Sequence, residues 1–123
     1  MLDRPGVRPA VDGSVRSAIS QAIVQIHAER YGKGATQAKT YAFDDVVVTV
    51  MRDVLTPVER TLIDAGRPDA VRELRAAFHD AVGDTLATTV EELTGRKVES
   101  QMSQIDPASG VALEAFVLAP ESG

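Results

Sequence analysis

The chain of 123 residues has no cysteine and no tryptophan, and it contains only two histidines, two tyrosines and three phenylalanines. Without cysteine there is no disulfide, no thiolate metal ligand and no thiol nucleophile, which suits a reducing compartment. The longest clean apolar stretch, residues 46–50, contains a threonine and is far shorter than the ~18 to 20 residues that span a bilayer. We therefore expect a cytoplasmic protein that does not itself cross a membrane.

Charge is distributed unevenly along the chain. The net charge is -5, with +3 over residues 1–43 and -8 over residues 44–123. Nucleic-acid binding draws much of its affinity from neutralising phosphates, so an acidic surface argues against it as the main activity. Only the N-terminal third favours an anion, and Arg30, Lys33 and Lys39 are the candidate contacts there.

The most informative segment covers residues 46–60, where a β-branched apolar run gives way to a helix start. Thr56 and Glu59 have the spacing of a capping box, in which each side chain accepts from the backbone amide of the other residue. Pro57 suits the first helical position, where no amide donor is needed. This segment predicts a strand followed directly by a helix.

The remaining elements follow from periodicity and from the glycines that end helices. The predicted elements are a helix over 14–31 capped by Asp12 or Ser14, strands over 36–43 and 46–52, helices over 57–65 and 68–94, and strands over 97–105 and 111–118. The order α-β-β-α-α-β-β contains two hairpins, which predict a four-stranded antiparallel sheet with the helices on one face. We expect a two-layer α+β sandwich over residues 14–119, a flexible arm over 1–13 and a disordered tail over 120–123.

The long helix predicted over residues 68–94 has apolar residues at three-to-four spacing along one face. The stripe consists of Val71, Leu74, Phe78, Val82, Leu86, Val90 and Leu93. Arg72 and Arg75 alternate with acidic residues at helical spacing, and we interpret them as members of solvated ion pairs.

Residues 46–51 of the second strand are apolar at every position but one, whereas a half-exposed strand alternates apolar and polar residues. This indicates burial on both faces and predicts a homodimer. The candidate interface residues are Val47, Thr49 and Met51, or the alternate set on the other side of the strand.

Two clusters of titratable residues are explained without a bound metal. Asp44, Asp45 and Asp53 are too few for the oxygen cage of calcium, and we interpret the first two as hairpin-turn residues. His27 and His79 lie on different predicted helices with no partner at i+4, so they predict no paired zinc site. We expect no metal and no cofactor.

The segment over residues 32–36, Gly-Lys-Gly-Ala-Thr, superficially resembles a phosphate-binding loop. Such a loop follows a strand and precedes a helix, whereas this one follows a helix end that presents carbonyl groups. We interpret it as a helix C-cap and turn. No strained elbow surrounds a serine, and no set of acid, base and nucleophile is evident, so we expect a protein that is not an enzyme.

Several segments together resemble a known family. They are the Tyr-Gly-Lys-Gly turn at 31–34, the Leu-Thr-Pro-Val-Glu-Arg box at 55–60, the Leu-Thr-Gly helix end at 93–95 and the last strand at 114–118. The chain is similar over residues 15–118 to the MpsC-like family, formerly a domain of unknown function. Its members are the small soluble protein of the sodium-translocating membrane-potential-generating system.

The resemblance implies an accessory or regulatory subunit that works with membrane proteins in ion transport or bicarbonate supply, at the inner face of the membrane. It implies no catalytic residues. Related domains also occur beside signalling modules, which implies a sensory or adaptor role of similar weight. The alternative function from the residues themselves is a small anion-binding domain that uses Arg30, Lys33 and Lys39.

Overall fold

The computed structural model describes residues 11–120. The elements are α1 Gly13–Tyr31, β1 Gln37–Phe43, β2 Val46–Arg52, α2 Pro57–Asp64, α3 Pro68–Thr94, β3 Val98–Asp106 and β4 Val111–Leu118. The strands form one antiparallel sheet in the order β1-β2-β4-β3. The predicted α+β fold with its sheet of two hairpins is confirmed. The strand order, which the sequence left open, places the first strand of each hairpin, β1 and β3, at the sheet edges.

The register of the strands sorts their residues into two faces. Beneath α1 and α3, three rows cross the sheet from β1 to β3: Ala38, Met51, Ala112 and Ile105; Thr40, Thr49, Glu114 and Ser103; Ala42, Val47, Phe116 and Gln101. On the other side the rows are Lys39, Val50, Leu113 and Gln104; Tyr41, Val48, Ala115 and Met102; Phe43, Val46, Val117 and Ser100. We name these sides the covered face and the open face.

The helix ends follow the predicted capping chemistry. Asp12, and not Ser14, caps α1, because its side chain accepts from the Val15 amide at 2.9 Å. Both hydrogen bonds of the capping box of α2 are present, and Gly32 and Gly95 end α1 and α3 with left-handed backbone at φ of 89° and 71°.

A second glycine of the turn after α1 is required for a different reason. A Cβ atom on Gly34 would lie 2.7 Å from the carbonyl oxygen of Val24 and 2.8 Å from the Val24 Cγ1 atom. The loop therefore passes against the backbone of α1, where no larger residue fits without movement.

The stripe predicted for α3 is wrong at one position. Leu74 is 46% exposed, whereas Arg75 is 8% exposed and points inward together with Val71 and Val82. At 100° per residue, positions 71, 75 and 82 share the inner face, so the residue after Leu74 occupies the buried position. The interpretation of Arg75 as a solvated side chain is wrong for the same reason.

No helix within residues 11–120 is long and apolar enough to cross a membrane. The arm predicted over 1–13 and the tail predicted over 120–123 lie largely outside the described residues, and the described Gly13 already belongs to α1.

Candidate functional site

A row of polar side chains crosses the middle of the covered face. Thr40 and Thr49, both buried, bond through their hydroxyls at 2.8 Å, and Ser20 of α1 continues the chain to Thr40 at 2.7 Å. The next residue in the row, Glu114, is 1% exposed and accepts from the Ser103 hydroxyl at 3.1 Å. The core under the helices is therefore polar along one full line across the sheet.

Both histidines of the chain converge on Glu114. The Nε2 atom of His79, on α3, lies 2.9 Å from one carboxylate oxygen, and the Nε2 atom of His27, on α1, lies 3.7 Å from the other. The Nδ1 atom of His27 lies 2.8 Å from the carbonyl oxygen of Ile23, which can only accept, so this nitrogen carries a hydrogen. A single carboxylate on β4 thus connects both long helices to the sheet.

The protonation of His79 follows from this contact. Its hydrogen bond to Glu114 raises the pKa of His79, burial opposes the shift, and the charges of Glu114 and Asp80 add to it. The imidazole is held toward its cationic form, which balances the buried carboxylate.

A second buried carboxylate lies nearby, under α2 and α3. Glu59 is inaccessible and accepts from Arg75 at 2.6 and 2.7 Å, from the Tyr31 hydroxyl at 2.6 Å and from the Thr56 amide at 2.8 Å. Burial opposes its ionisation, but the hydrogen bonds from Arg75, Tyr31 and Thr56 outweigh burial and lower the pKa of Glu59. Arg75 also donates to the carbonyl oxygen of Val54 at 2.8 Å and lies 4.2 Å from the Tyr31 ring centroid.

These two clusters meet at a cavity of about 340 Å³ between α3 and the β3 side of the covered face. Arg72, Arg75, His79 and Glu114 line it, with Phe78 among the apolar lining residues. The Phe78 ring packs against His27 and Tyr31, with centroids 5.4 and 4.7 Å apart. The cavity is therefore bounded by charged groups, of which Arg75, His79 and Glu114 are held by hydrogen bonds.

The open face has the opposite chemistry. Most residues of its three rows are apolar, and its large apolar side chains remain accessible: Tyr41 is 46%, Phe43 59%, Met102 55% and Leu113 38% exposed. Lys39 is the one charged residue in the three rows, and its ammonium group lies 5.2 Å from the Tyr41 ring centroid. No described element covers this face, because α1 and α3 both pack on the other side.

Comparison with known proteins identifies the family. The model of the family "Na+-translocating membrane potential-generating system (MpsC)" matches residues 12–120. The chain belongs to the MpsC family. It is similar to the uncharacterized protein YbcI of Bacillus subtilis (strain 168), with 24% identity over 107 residues that cover 86% of each chain. No solved structure matches the chain. The resemblance drawn from the capping box and the helix ends is thereby confirmed.

In this MpsC chain the interface residues named from the sequence lie on the covered face. Val47, Thr49 and Met51 are between 0% and 1% exposed beneath the helices. The alternate set, Val46, Val48 and Val50, lies on the open face. A partner that meets the open face therefore contacts the alternate set, displaced by one position along β2.

The three candidate anion contacts have separate surroundings in the MpsC chain. Lys33 lies 3.8 Å from Asp53, Lys39 lies over Tyr41 on the open face, and Arg30 is in the last turn of α1. Asp53 also binds the Thr36 hydroxyl and lies 3.1 Å from Arg60. These contacts make Asp53 a link between the loop after α1 and the start of α2.

Sequence reasoning missed Glu114 and left its two histidines without a partner. Within residues 11–120, no group of three His, Asp or Glu residues has an arrangement that could hold a metal ion. His79, Glu114 and Ser103 are residue types of a hydrolytic triad, but the carboxylate stands between the serine and the imidazole, so the imidazole is not placed to take the serine proton. The available signal was an acidic residue at an inward position of the apolar β4.

Proposed function

We propose that this chain is a non-enzymatic accessory or regulatory interaction domain of a Na+-translocating membrane potential-generating system. In this proposal it works as a homodimer at the cytoplasmic surface of the membrane and serves ion transport linked to the supply of inorganic carbon. Membership of the MpsC family supports the link to the membrane system. The observation that carries the interaction role is the apolar open face of the sheet.

The size and composition of the open face support a docking role. Four strands about 4.8 Å apart and seven residues of about 3.3 Å each give a face on the order of 400 Å². Continuous apolar patches of this size on soluble proteins often mark interaction sites. Exposed aromatic side chains such as Phe43 and Tyr41 are the residue types that contribute most to association energies.

A second copy is the occupant that best fits this face. The chain carries a net charge of -5, yet the three rows of the open face contain one charged residue, Lys39, and the strand ends add one of each sign, Arg52 and Asp106, so two copies can approach there without strong repulsion. Two sheets packed face to face would bury the apolar side chains of both open faces, as in sheet sandwiches. The modest area predicts a dissociation constant in the micromolar range, on the order of 1 to 10 μM.

The proposal is tested by capture from native membranes of the source organism. The tagged full chain is incubated with solubilised membranes, and recovered integral membrane proteins are quantified by mass spectrometry. The wild type should recover the same Na+-translocating membrane protein in each preparation. Because a dimer presents two copies of any docking surface, it should bind with an avidity that a monomer lacks.

Two variants make the capture experiment specific. Phe43→Glu places a charge on the open face and should reduce recovery at least fivefold, because the pairing that gives avidity is lost. Val58→Glu changes a residue of α2 that is even more exposed, at 65%, and should recover as much as the wild type. Failure of the wild type to recover any reproducible integral membrane protein would contradict the proposal.

A further inference from the structure

The cavity between α3 and the covered face has features of a ligand site. Six charged or titratable side chains line its volume of about 340 Å³: His27, Arg72, Arg75, His79, Asp80 and Glu114. Three of them are nearly inaccessible, with exposed fractions of 5% for His27, 8% for Arg75 and 1% for Glu114. Charged groups are rarely buried this deeply without hydrogen-bond or ion-pair partners. The groups that have no such partner within the cavity therefore determine which ligand it can bind.

Two guanidinium groups supply donors at the α3 side of the cavity. In Arg75, Nε and Nη2 donate to Glu59 and to the Val54 carbonyl, whereas Nη1 takes part in none of these bonds. Arg72 lies three residues earlier on the same side of α3 and has no ion-pair partner within residues 11–120. Paired guanidinium groups are well suited to the oxygen atoms of carboxylates and phosphates.

The negative groups of the cavity are largely engaged. Glu114 accepts from His79 at 2.9 Å and from Ser103 at 3.1 Å, and His27 lies 3.7 Å from it. Asp80 is exposed at the cavity rim, where water screens its charge. The donors that remain available to a ligand are therefore those of Arg72 and Arg75.

We propose that this cavity binds a small oxyanion, held by Arg72 and Arg75, and that His79, bound to Glu114 in the same cavity, takes up a proton as the anion binds. Inorganic phosphate and a small carboxylate share the required chemistry. The inference does not rest on the proposed function, because the cavity and the open face lie on opposite sides of the sheet.

The geometry of His79 provides the proton link. Its Nε2 atom lies 2.9 Å from Glu114, and its ring lines the cavity. Protonation of His79 places a positive charge beside the bound anion, which strengthens binding. The charged and titratable groups that face His79 are Arg72, Arg75 and Asp80 from α3, His27 from α1 and Glu114 from β4, with Glu59 of α2 reached through Arg75; the lining residues of β3 are uncharged.

The test is isothermal titration calorimetry of the full chain with acetate and, separately, with inorganic phosphate, at constant ionic strength set with sodium chloride. Acetate remains ionised between about pH 6 and about pH 8, so its pH dependence reports the protein alone, across the range in which histidines titrate. We expect acetate to bind roughly tenfold more tightly at about pH 6 than at about pH 8. The anion with the lower dissociation constant at about pH 6 shows whether the cavity prefers a carboxylate or inorganic phosphate.

Three variants locate the site and its proton. Arg72→Gln should weaken binding about tenfold, because a charge-assisted hydrogen bond is lost from an exposed residue. Arg30→Gln removes an exposed arginine of α1 and should bind as the wild type does. His79→Gln can still donate to Glu114 but cannot be protonated, so it should reduce the pH dependence. Absence of binding by both anions at pH 6, or equal weakening by Arg30→Gln and Arg72→Gln, would overturn the proposal.

Discussion

The central rows of the two sheet faces reverse the usual distribution of polarity. The covered face, which packs against α1 and α3, has a central row of Thr40, Thr49, Glu114 and Ser103, whereas the corresponding row of the open face is Tyr41, Val48, Ala115 and Met102. A sheet with one face in water normally has its apolar residues inside and its polar residues outside. The difference shows that burial under the helices is stabilised partly by specific hydrogen bonds, while the open face retains the surface expected of an interface.

Each polar group of the covered face has a defined partner. Thr49 and Thr40 bond to each other, Glu114 is bound by His79, and the orienting contacts come from helices that are distant in sequence. Such networks are costly when one member is removed, because the remaining buried group is left unsatisfied. The open face contains no network, so we expect substitutions there to affect association more than folding.

The largest expected effect on folding is at the ion pair above the covered face. Arg75→Met keeps an unbranched apolar stem but removes the guanidinium group, which leaves the carboxylate of Glu59 buried without its main partner, so we expect the free energy of unfolding to fall by about 3 to 5 kcal/mol. Urea unfolding followed by circular dichroism measures the change. Arg72→Met, at an exposed position of the same helix, is the control, with an expected change within about 0.5 kcal/mol. Equal effects of the two variants would show that the buried pair does not stabilise the fold.

A pair of reciprocal substitutions compares the two faces directly. Thr49→Val makes the covered face more apolar but removes the hydroxyl bonded to Thr40, so we expect a loss of about 1 kcal/mol. Val48→Thr makes the open face more polar and should change the unfolding free energy of the isolated monomer by less than about 0.5 kcal/mol. Both are measured by urea unfolding at low protein concentration. A larger loss for Val48→Thr would reverse the proposed difference between the faces.

The smallest expected effect is a pH dependence from His79. Because the pKa of His79 is raised in the folded state, its contribution to stability is complete below the unfolded value of about 6.5 and is lost as the pH rises through the folded value. We therefore expect the unfolding free energy to decrease as the pH rises from about 6 to about 8. His79→Gln should flatten this decrease. An unfolding free energy that increases over the same pH range would contradict the predicted direction.

Features encoded within a few residues could be predicted from the sequence. The capping box of Thr56 and Glu59, the left-handed Gly32 and Gly95, and the two hairpins all depend on local spacing, and all were confirmed. The family resemblance depended on the same local motifs.

Features that depend on long-range packing were missed. Glu114 meets His79 across 35 positions of sequence, and no local pattern signals that contact. Both sides of β2 are apolar, so alternation could not tell whether Val47 or Val48 faces the helices. On α3 the helical spacing is compatible with either Leu74 or Arg75 at the inner face. Hydrophobicity favoured Leu74, which is exposed in the structure, whereas Arg75 is buried. The buried partner of Arg75, Glu59, lay on a different helix and was assigned only its capping role.

The central claim is that the open face pairs with a second copy, and molar mass by light scattering at increasing protein concentration tests it most directly. We predict that the wild-type mass approaches twice 13.1 kDa at tens of micromolar, that Phe43→Glu remains at 13.1 kDa, and that Val58→Glu behaves as the wild type. A wild-type mass of 13.1 kDa throughout that range, or a dimer that persists in Phe43→Glu, would contradict pairing through the open face.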